Sequence, residues 1–153
     1  MKNLIVTIGV PGAGKSTALK KLRPNAVVVS PDHISYDEHG HFSPARLSQA
    51  WKESYAKLFK LLSEGEEEVA FDATMLTPDV RGAVIAAGRH FGYFVISLFV
   101  KATLEEACER NANRREKDPV PLAVIARMHG ELVPPLAYDP EEFDGSIITR
   151  GES

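Results

Sequence analysis

Cysteine is nearly absent. Cys108 is the single one in 153 residues, so no internal disulfide can form and the framework of a small oxidised domain is excluded. A reducing compartment is the expectation, with the cytoplasm as the default. Long apolar runs are missing too: Phe94 to Val100 is interrupted by Ser97 and falls far short of the roughly twenty residues that span a bilayer. No membrane partner is expected. Lys2 followed by Leu4-Ile5-Val6 lacks the long apolar core and cleavage site of a secretory signal, and reads as a first strand. Nor does charge of one sign dominate. Eighteen Lys and Arg stand against 21 Asp and Glu, a net charge of −3, so a nucleic-acid ligand would need a local basic stripe rather than the field of the whole chain. There is no repeat and no low-complexity tract, and the acidic run Glu64 to Glu68 reads as a solvated turn.

The length suits one domain spanning 1–153. Five short β-rich runs, Leu4 to Ile8, Ala26 to Ser30, Glu68 to Ala73, Phe94 to Val100 and Ser146 to Thr149, alternate with helical patterns. Most are continuously apolar, as parallel strands covered by helices on both faces require. This predicts an α/β fold. Ser43-Pro44 and Thr77-Pro78 each set a capping hydroxyl before a first-turn proline, predicting helices to about Ser63 and about Phe91. Thr103 to Glu106 is a capping box that opens a helix to about Asn113. Pro121 starts another helix, which Pro134-Pro135 ends.

The stretch "GVPGAGKS", Gly9 to Ser16, matches G-x-x-x-x-G-K-[ST] directly after the first strand and at the start of a helix. That context is what a phosphate cradle needs. Gly9, Gly12 and Gly14 let the backbone turn its N–H groups inward, and the helix N-terminus adds partial positive charge. Lys15 supplies a cation for the outer phosphates and Ser16 a hydroxyl for Mg²⁺, with Thr17 extending the hydroxyl pair.

Ligands of open α/β sheets gather at the carboxyl ends of the strands. Asp32 follows the second strand there and Asp72 ends the third. Each suits one of two jobs: taking a proton from an attacking hydroxyl, or holding Mg²⁺. Farther on, Arg110, Arg114, Arg115 and Lys117 form a basic cluster. Arg110 and Arg114 lie four apart on one helix face, close enough to clamp an anion. Glu106, in turn, can pair with Arg110 without any ligand. Arg114 has no carboxylate one turn before it and is the stronger phosphate candidate. His33, His39 and His41 suggest a metal site, but neither a cysteine nor a carboxylate cluster completes one. Cys108, in mid-helix, reads as a packed side chain.

Together "TIGVPGAGKST", the Asp32 turn, "FDATMLTP", "ERNANRR" and "PVPLAVIARM" resemble the family of small P-loop kinases that includes the kinase domain of phage 5′-hydroxyl polynucleotide kinase. The resemblance covers nearly the whole chain. It implies a five-stranded parallel sheet ordered 2-3-1-4-5, helices on both faces and a helical lid at about 111–122. ATP or another NTP would be the phosphate donor, held with Mg²⁺ by Gly9, Gly12, Ala13, Gly14, Lys15, Ser16, Thr17, Arg114 and Arg115. Asp32 would be the general base, Ser16 and Asp72 would serve the metal, and Lys15 and Arg114 would act at the transferring phosphate. Asp32, Ser35, Asp72 and Arg81 would line the acceptor side. The implied reaction transfers the γ-phosphate to a nucleic-acid 5′-hydroxyl end, the alternatives being a small-molecule alcohol as acceptor or a nucleotide-binding regulatory module. Two departures stand out. Ser35 occupies the position where polynucleotide kinases carry an acceptor-gripping arginine, and Tyr36 to His41 is acidic with histidines. Tyr36, Phe42 and Trp51 remain as stacking candidates, and the cations must come from Arg46, Lys52 or Arg81. A phosphatase domain, joined to the kinase in some relatives, is not expected here.

Overall fold

The apolar runs become strands of one parallel sheet, and the central ones are buried on both faces. The computed structural model of the chain describes residues 1–32, 44–114 and 119–152. Its strands are β1 (Asn3–Ile8), β2 (Val27–Val29), β3 (Glu68–Phe71), β4 (Phe94–Lys101) and β5 (Gly145–Arg150), and its helices α1 (Lys15–Leu22), α2 (Pro44–Glu64), α3 (Pro78–His90), α4 (Leu104–Ala112) and α5 (Leu122–Glu131). The strands lie in the order β2-β3-β1-β4-β5, all pairs parallel. This is the order 2-3-1-4-5 expected above.

Alternation along the central strands divides the core into two layers. Leu4, Val6, Ile8, Phe71 and Val95 pack with Leu58 and Leu62 of α2 and with Val84 and Ala87 of α3. Ile5, Ala70 and Leu98 face the other way, against Leu19 of α1, Ala107 of α4 and Ile125 of α5. Full burial of each large apolar side chain contributes about 1.5–3 kcal/mol, so the central strands anchor the fold. β5, at the edge, alternates between half-buried and exposed positions.

Local signals account for the helix starts. The Thr103 hydroxyl accepts the Glu106 N–H at 3.1 Å and the Glu106 carboxylate accepts the Thr103 N–H at 2.9 Å, the reciprocal box read from the sequence. That backbone bond, before any other cause, holds the Glu106 carboxyl below its ordinary range. α3 differs from expectation. Thr77 is its N-cap and Pro78 opens its first turn, but the Thr77 hydroxyl makes no capping bond; its carbonyl accepts the Arg81 N–H instead. Ser43, the other expected cap, lies outside the described residues.

Asn111 was not singled out by any pattern. Its buried side chain donates to the Val120 carbonyl at 2.7 Å and accepts the Val120 N–H at 2.9 Å. One amide thus closes the connection from α4 to α5 as a backbone pair would. Asn111→Ala should lower stability by about 1–3 kcal/mol, because two peptide groups lose their partner. Urea unfolding measures this, and an unchanged midpoint would count against the clasp.

Candidate active site

The loop between β1 and α1 begins with Gly9, whose N–H donates to the Thr74 carbonyl at 3.0 Å. Gly12 and Gly14 both take left-handed backbone angles, φ 84° and 95°, which a side chain would strain. Gly14 is also the N-cap of α1, and it offers no side chain to cap the helix. No acid stands in the first turn. An uncapped N-terminus presents unpaired N–H groups and partial positive charge, so the start of α1 attracts an anion.

Lys15 opens that helix. Its ammonium donates to the Val10 carbonyl at 3.0 Å. Burial pulls it below its ordinary range, while the carboxylates of Asp72 and Asp32 push it back up and Arg114 adds to the lowering. Those influences converge only because four segments far apart in sequence meet here: the β1–α1 loop, the ends of β2 and β3, and the end of α4. An anionic group arriving beside Lys15 would offset the cost of burying its charge.

Ser16 donates its hydroxyl to Asp72 Oδ2 at 2.7 Å, and the other carboxylate oxygen lies 3.1 Å from the Thr7 hydroxyl. Thr7 is fully buried; it accepts the Ala73 N–H at 3.0 Å and donates to the Ala73 carbonyl at 2.8 Å. Thus β1 orients the end of β3. Sequence reading overlooked Thr7, although a hydroxyl inside an apolar strand signals a polar partner beside it. Ser16 is exposed and Asp72 buried, so their oxygens form a small hard-donor pair at the mouth of the loop. Such a pair suits Mg²⁺, which takes one or two protein oxygens and fills its octahedron with phosphate and water.

Asp32 is exposed just beyond β2, and Arg114 is half-buried past α4. Ala13 is buried within the loop. Thr17 is exposed and borders a shallow depression with Lys21, Thr149 and Glu152. Ser35 and Arg115 lie outside the described residues, as do His33, His39, His41 and part of the 111–122 segment. Among the described residues no cluster of His, Cys, Asp and Glu could hold a metal by itself, and no helix is long and apolar enough to cross a membrane.

Two arginines are taken up by the fold. Arg81, assigned above to the acceptor side, is fully buried. Its guanidinium donates to Met75 O at 2.8 Å, to Leu76 O at 3.2 Å and to Val133 O, and pairs with Glu142 at 3.1 Å. It therefore cannot grip an acceptor. It braces the turn after β3 instead, where buried Met75 has a φ of 48°. Arg110, left open above between clamping an anion with Arg114 and pairing with Glu106, is occupied by backbone and by that pair: it donates to Ala13 O at 3.2 Å and Gly151 O at 2.9 Å, with Glu106 at 3.6 Å.

Arg81→Met should lower stability by about 3–5 kcal/mol, since it leaves the Glu142 carboxylate without its partner in a low-dielectric site. Adding Glu142→Leu should recover only the part owed to the unpaired carboxylate, because the Met75, Leu76 and Val133 carbonyls still lack their donor. Urea unfolding of the single and double variants checks both numbers, and a single-variant cost below about 1 kcal/mol would be that of an exposed pair.

The family model described as "AAA domain" matches residues 4–135. Among solved structures, the chain is similar to one in the Pnkp1/Rnl/Hen1 RNA repair complex, with a TM-score of 0.69 at 22% identity over 94% of this chain and 46% of that one. A gluconokinase from Sinorhizobium meliloti 1021 gives a TM-score of 0.62 at 14% identity, covering 99% and 83% of the two chains. Kti12 of Chaetomium thermophilum, solved with ADP-AlF3, gives 0.62 at 19% identity over 96% and 87%. The chain spans less than half the length of the RNA-repair relative.

Proposed function

The chain belongs to the AAA-domain family of P-loop proteins, and from that premise we propose that it is an ATP-dependent kinase that transfers the γ-phosphate to a hydroxyl. One arrangement carries the reading: at the uncapped N-terminus of α1 the Ser16 hydroxyl meets Asp72 Oδ2 at 2.7 Å, and the charges of Asp72, Asp32 and Arg114 all bear on the neighbouring Lys15. A nucleotide-binding module needs the loop alone. A kinase needs, beside the loop, a base for the acceptor and a cation for the transferring group.

The loop holds ATP or another NTP by its backbone N–H groups and Lys15. Ser16 and Asp72 would hold Mg²⁺, which would supply positive charge for the phosphate oxygens. The acceptor oxygen attacks the γ-phosphorus in line as the bond to the β–γ bridging oxygen breaks, and Asp32 takes the hydroxyl proton. Asp32 is exposed at the end of β2, where an incoming alcohol can reach it. Lys15 and Arg114 stabilise the charge on the three transferring oxygens.

The favoured acceptor is a nucleic-acid 5′-hydroxyl end. The motifs quoted above support it, as do Arg46 and Lys52, both exposed on α2; Trp51, the stacking candidate beside them in sequence, packs instead on Tyr55 and Phe71 at the edge of the core. The burial of Arg81 removes one cation from that set and favours the alternative, a small-molecule alcohol; the likeness to a gluconokinase fits that alternative as well.

γ-labelled ATP offered with 5′-hydroxyl oligonucleotides, nucleosides, nucleotides and sugars separates the readings. Label should pass to the oligonucleotide end, and label only on a small alcohol would overturn the polynucleotide assignment. Asp32→Asn should slow transfer by about 10²–10⁴-fold with nucleotide affinity little changed, and Lys15→Ala should abolish transfer in a folded protein. Hydrolysis of ATP or GTP that needs no acceptor and ignores Asp32→Asn would point instead to a regulatory nucleotide-binding module.

A further inference from the structure

The outer side of the phosphate loop is as closely determined as its inner side. Gly151, the first residue past β5, lies so near the loop that a Cβ there would stand 1.6 Å from the Ala13 carbonyl oxygen. A Cβ on Gly14 would stand 2.6 Å from the Glu152 carbonyl oxygen. Main chain therefore packs on main chain, with no room for a side chain. The Gly151 N–H is itself fixed by the Lys101 carbonyl at 2.8 Å, so this wall is an extension of the sheet.

Arg110 ties the two together. One guanidinium nitrogen donates to Ala13 O at 3.2 Å, with Gly12 O at 3.5 Å, while the other donates to Gly151 O at 2.9 Å. Glu106 lies 3.6 Å from the same group. In a planar trans peptide the carbonyl and the N–H point in opposite directions. Holding the Ala13 carbonyl outward therefore turns the Gly14 N–H inward, toward the place where an anion meets the loop.

We propose that Arg110, with the Gly151 backbone as its anvil, is a positioning residue for the phosphate loop, acting on the donor phosphates through the orientation of the Ala13–Gly14 peptide. This rests on the loop being the donor site. A planar fork is what the task requires, because it reaches the loop and the strand exit at once; a lysine ammonium is a single point on a flexible stem.

Binding of ATP and of inorganic tripolyphosphate, measured by calorimetry, tests the assignment in Arg110→Gln, Arg110→Lys, Gly151→Ala and the double variant Arg110→Gln/Gly151→Ala. Both ligands should lose affinity by the same factor in each single variant, roughly tenfold or more, as expected for a misplaced binding group. Arg110→Lys should not rescue, and the double variant should bind no worse than the weaker single, because both changes act on one peptide. Loss for ATP alone would mean that Arg110 contacts the base. Rescue by lysine, or fully additive losses, would mean direct contact with phosphate. Each of these results overturns the proposal, as does normal binding of both ligands by Arg110→Gln. If Gly151→Ala fails to fold, the Arg110 variants decide alone. A wild-type chain that binds neither ligand overturns the donor-site reading, and this proposal with it.

Discussion

Parallel pairing of β1 with β3, in the register that sets Val6 beside Phe71, is the constraint on which the rest of the site depends. It brings the ends of the two strands within two residues of each other, so that the loop after β1 and the carboxylate after β3 emerge side by side. The Ser16–Asp72 bond, the Thr7 hydroxyl against Ala73 and the Gly9 N–H on Thr74 are its direct consequences. A slip of one residue would turn every side chain of β3 to the opposite face of the sheet. Val69 and Phe71 fill one apolar layer and the smaller Ala70 the other, so a slip would overpack one layer and leave a void in the other, and the core therefore sets the geometry of the polar edge.

Polar groups placed inside the fold serve the same edge from beneath. Arg81 braces the turn that follows Asp72, Asn111 clasps the connection that begins beside Arg114, and Arg110 grips the back of the phosphate loop. Each is satisfied mainly by backbone carbonyls, so each fixes a loop rather than another side chain. Loops exposed to solvent would otherwise sample many shapes at a cost to any preformed site. Of the candidate reacting groups, Ser16 and Asp32 are exposed, Lys15 and Arg114 half-buried and Asp72 buried.

Much of this was legible in the chain. The capping box at Thr103, the proline at the start of α3 and the glycine-rich turn after β1 are local signals, because their physics involves residues three or four apart. The two aspartates could be read as well, since a carboxylate at the end of a buried strand lies where ligands gather in this class of sheet. Arg81 could not. In sequence it stands nine residues after Asp72, in the first turn of a helix, and looks like a cation beside the acceptor. Only the fold brings Glu142 and Val133 to it, and once the guanidinium finds a carboxylate and carbonyls indoors, it has no reason to remain in water.

Sequence by itself therefore determined the class of fold, the strand and helix order and the phosphate-loop motif, all of which follow from short-range periodicity, capping and backbone freedom. Tertiary structure decided which charged groups stand together and which are consumed by the fold. Lys15, Asp32, Asp72 and Arg114 meet in one electrostatic neighbourhood, while Arg81 and Arg110 are taken up by carbonyls and by Glu142 and Glu106. The physical reason is range: propensity acts over a turn of helix, whereas pairing a charge depends on partners that only the closed sheet delivers.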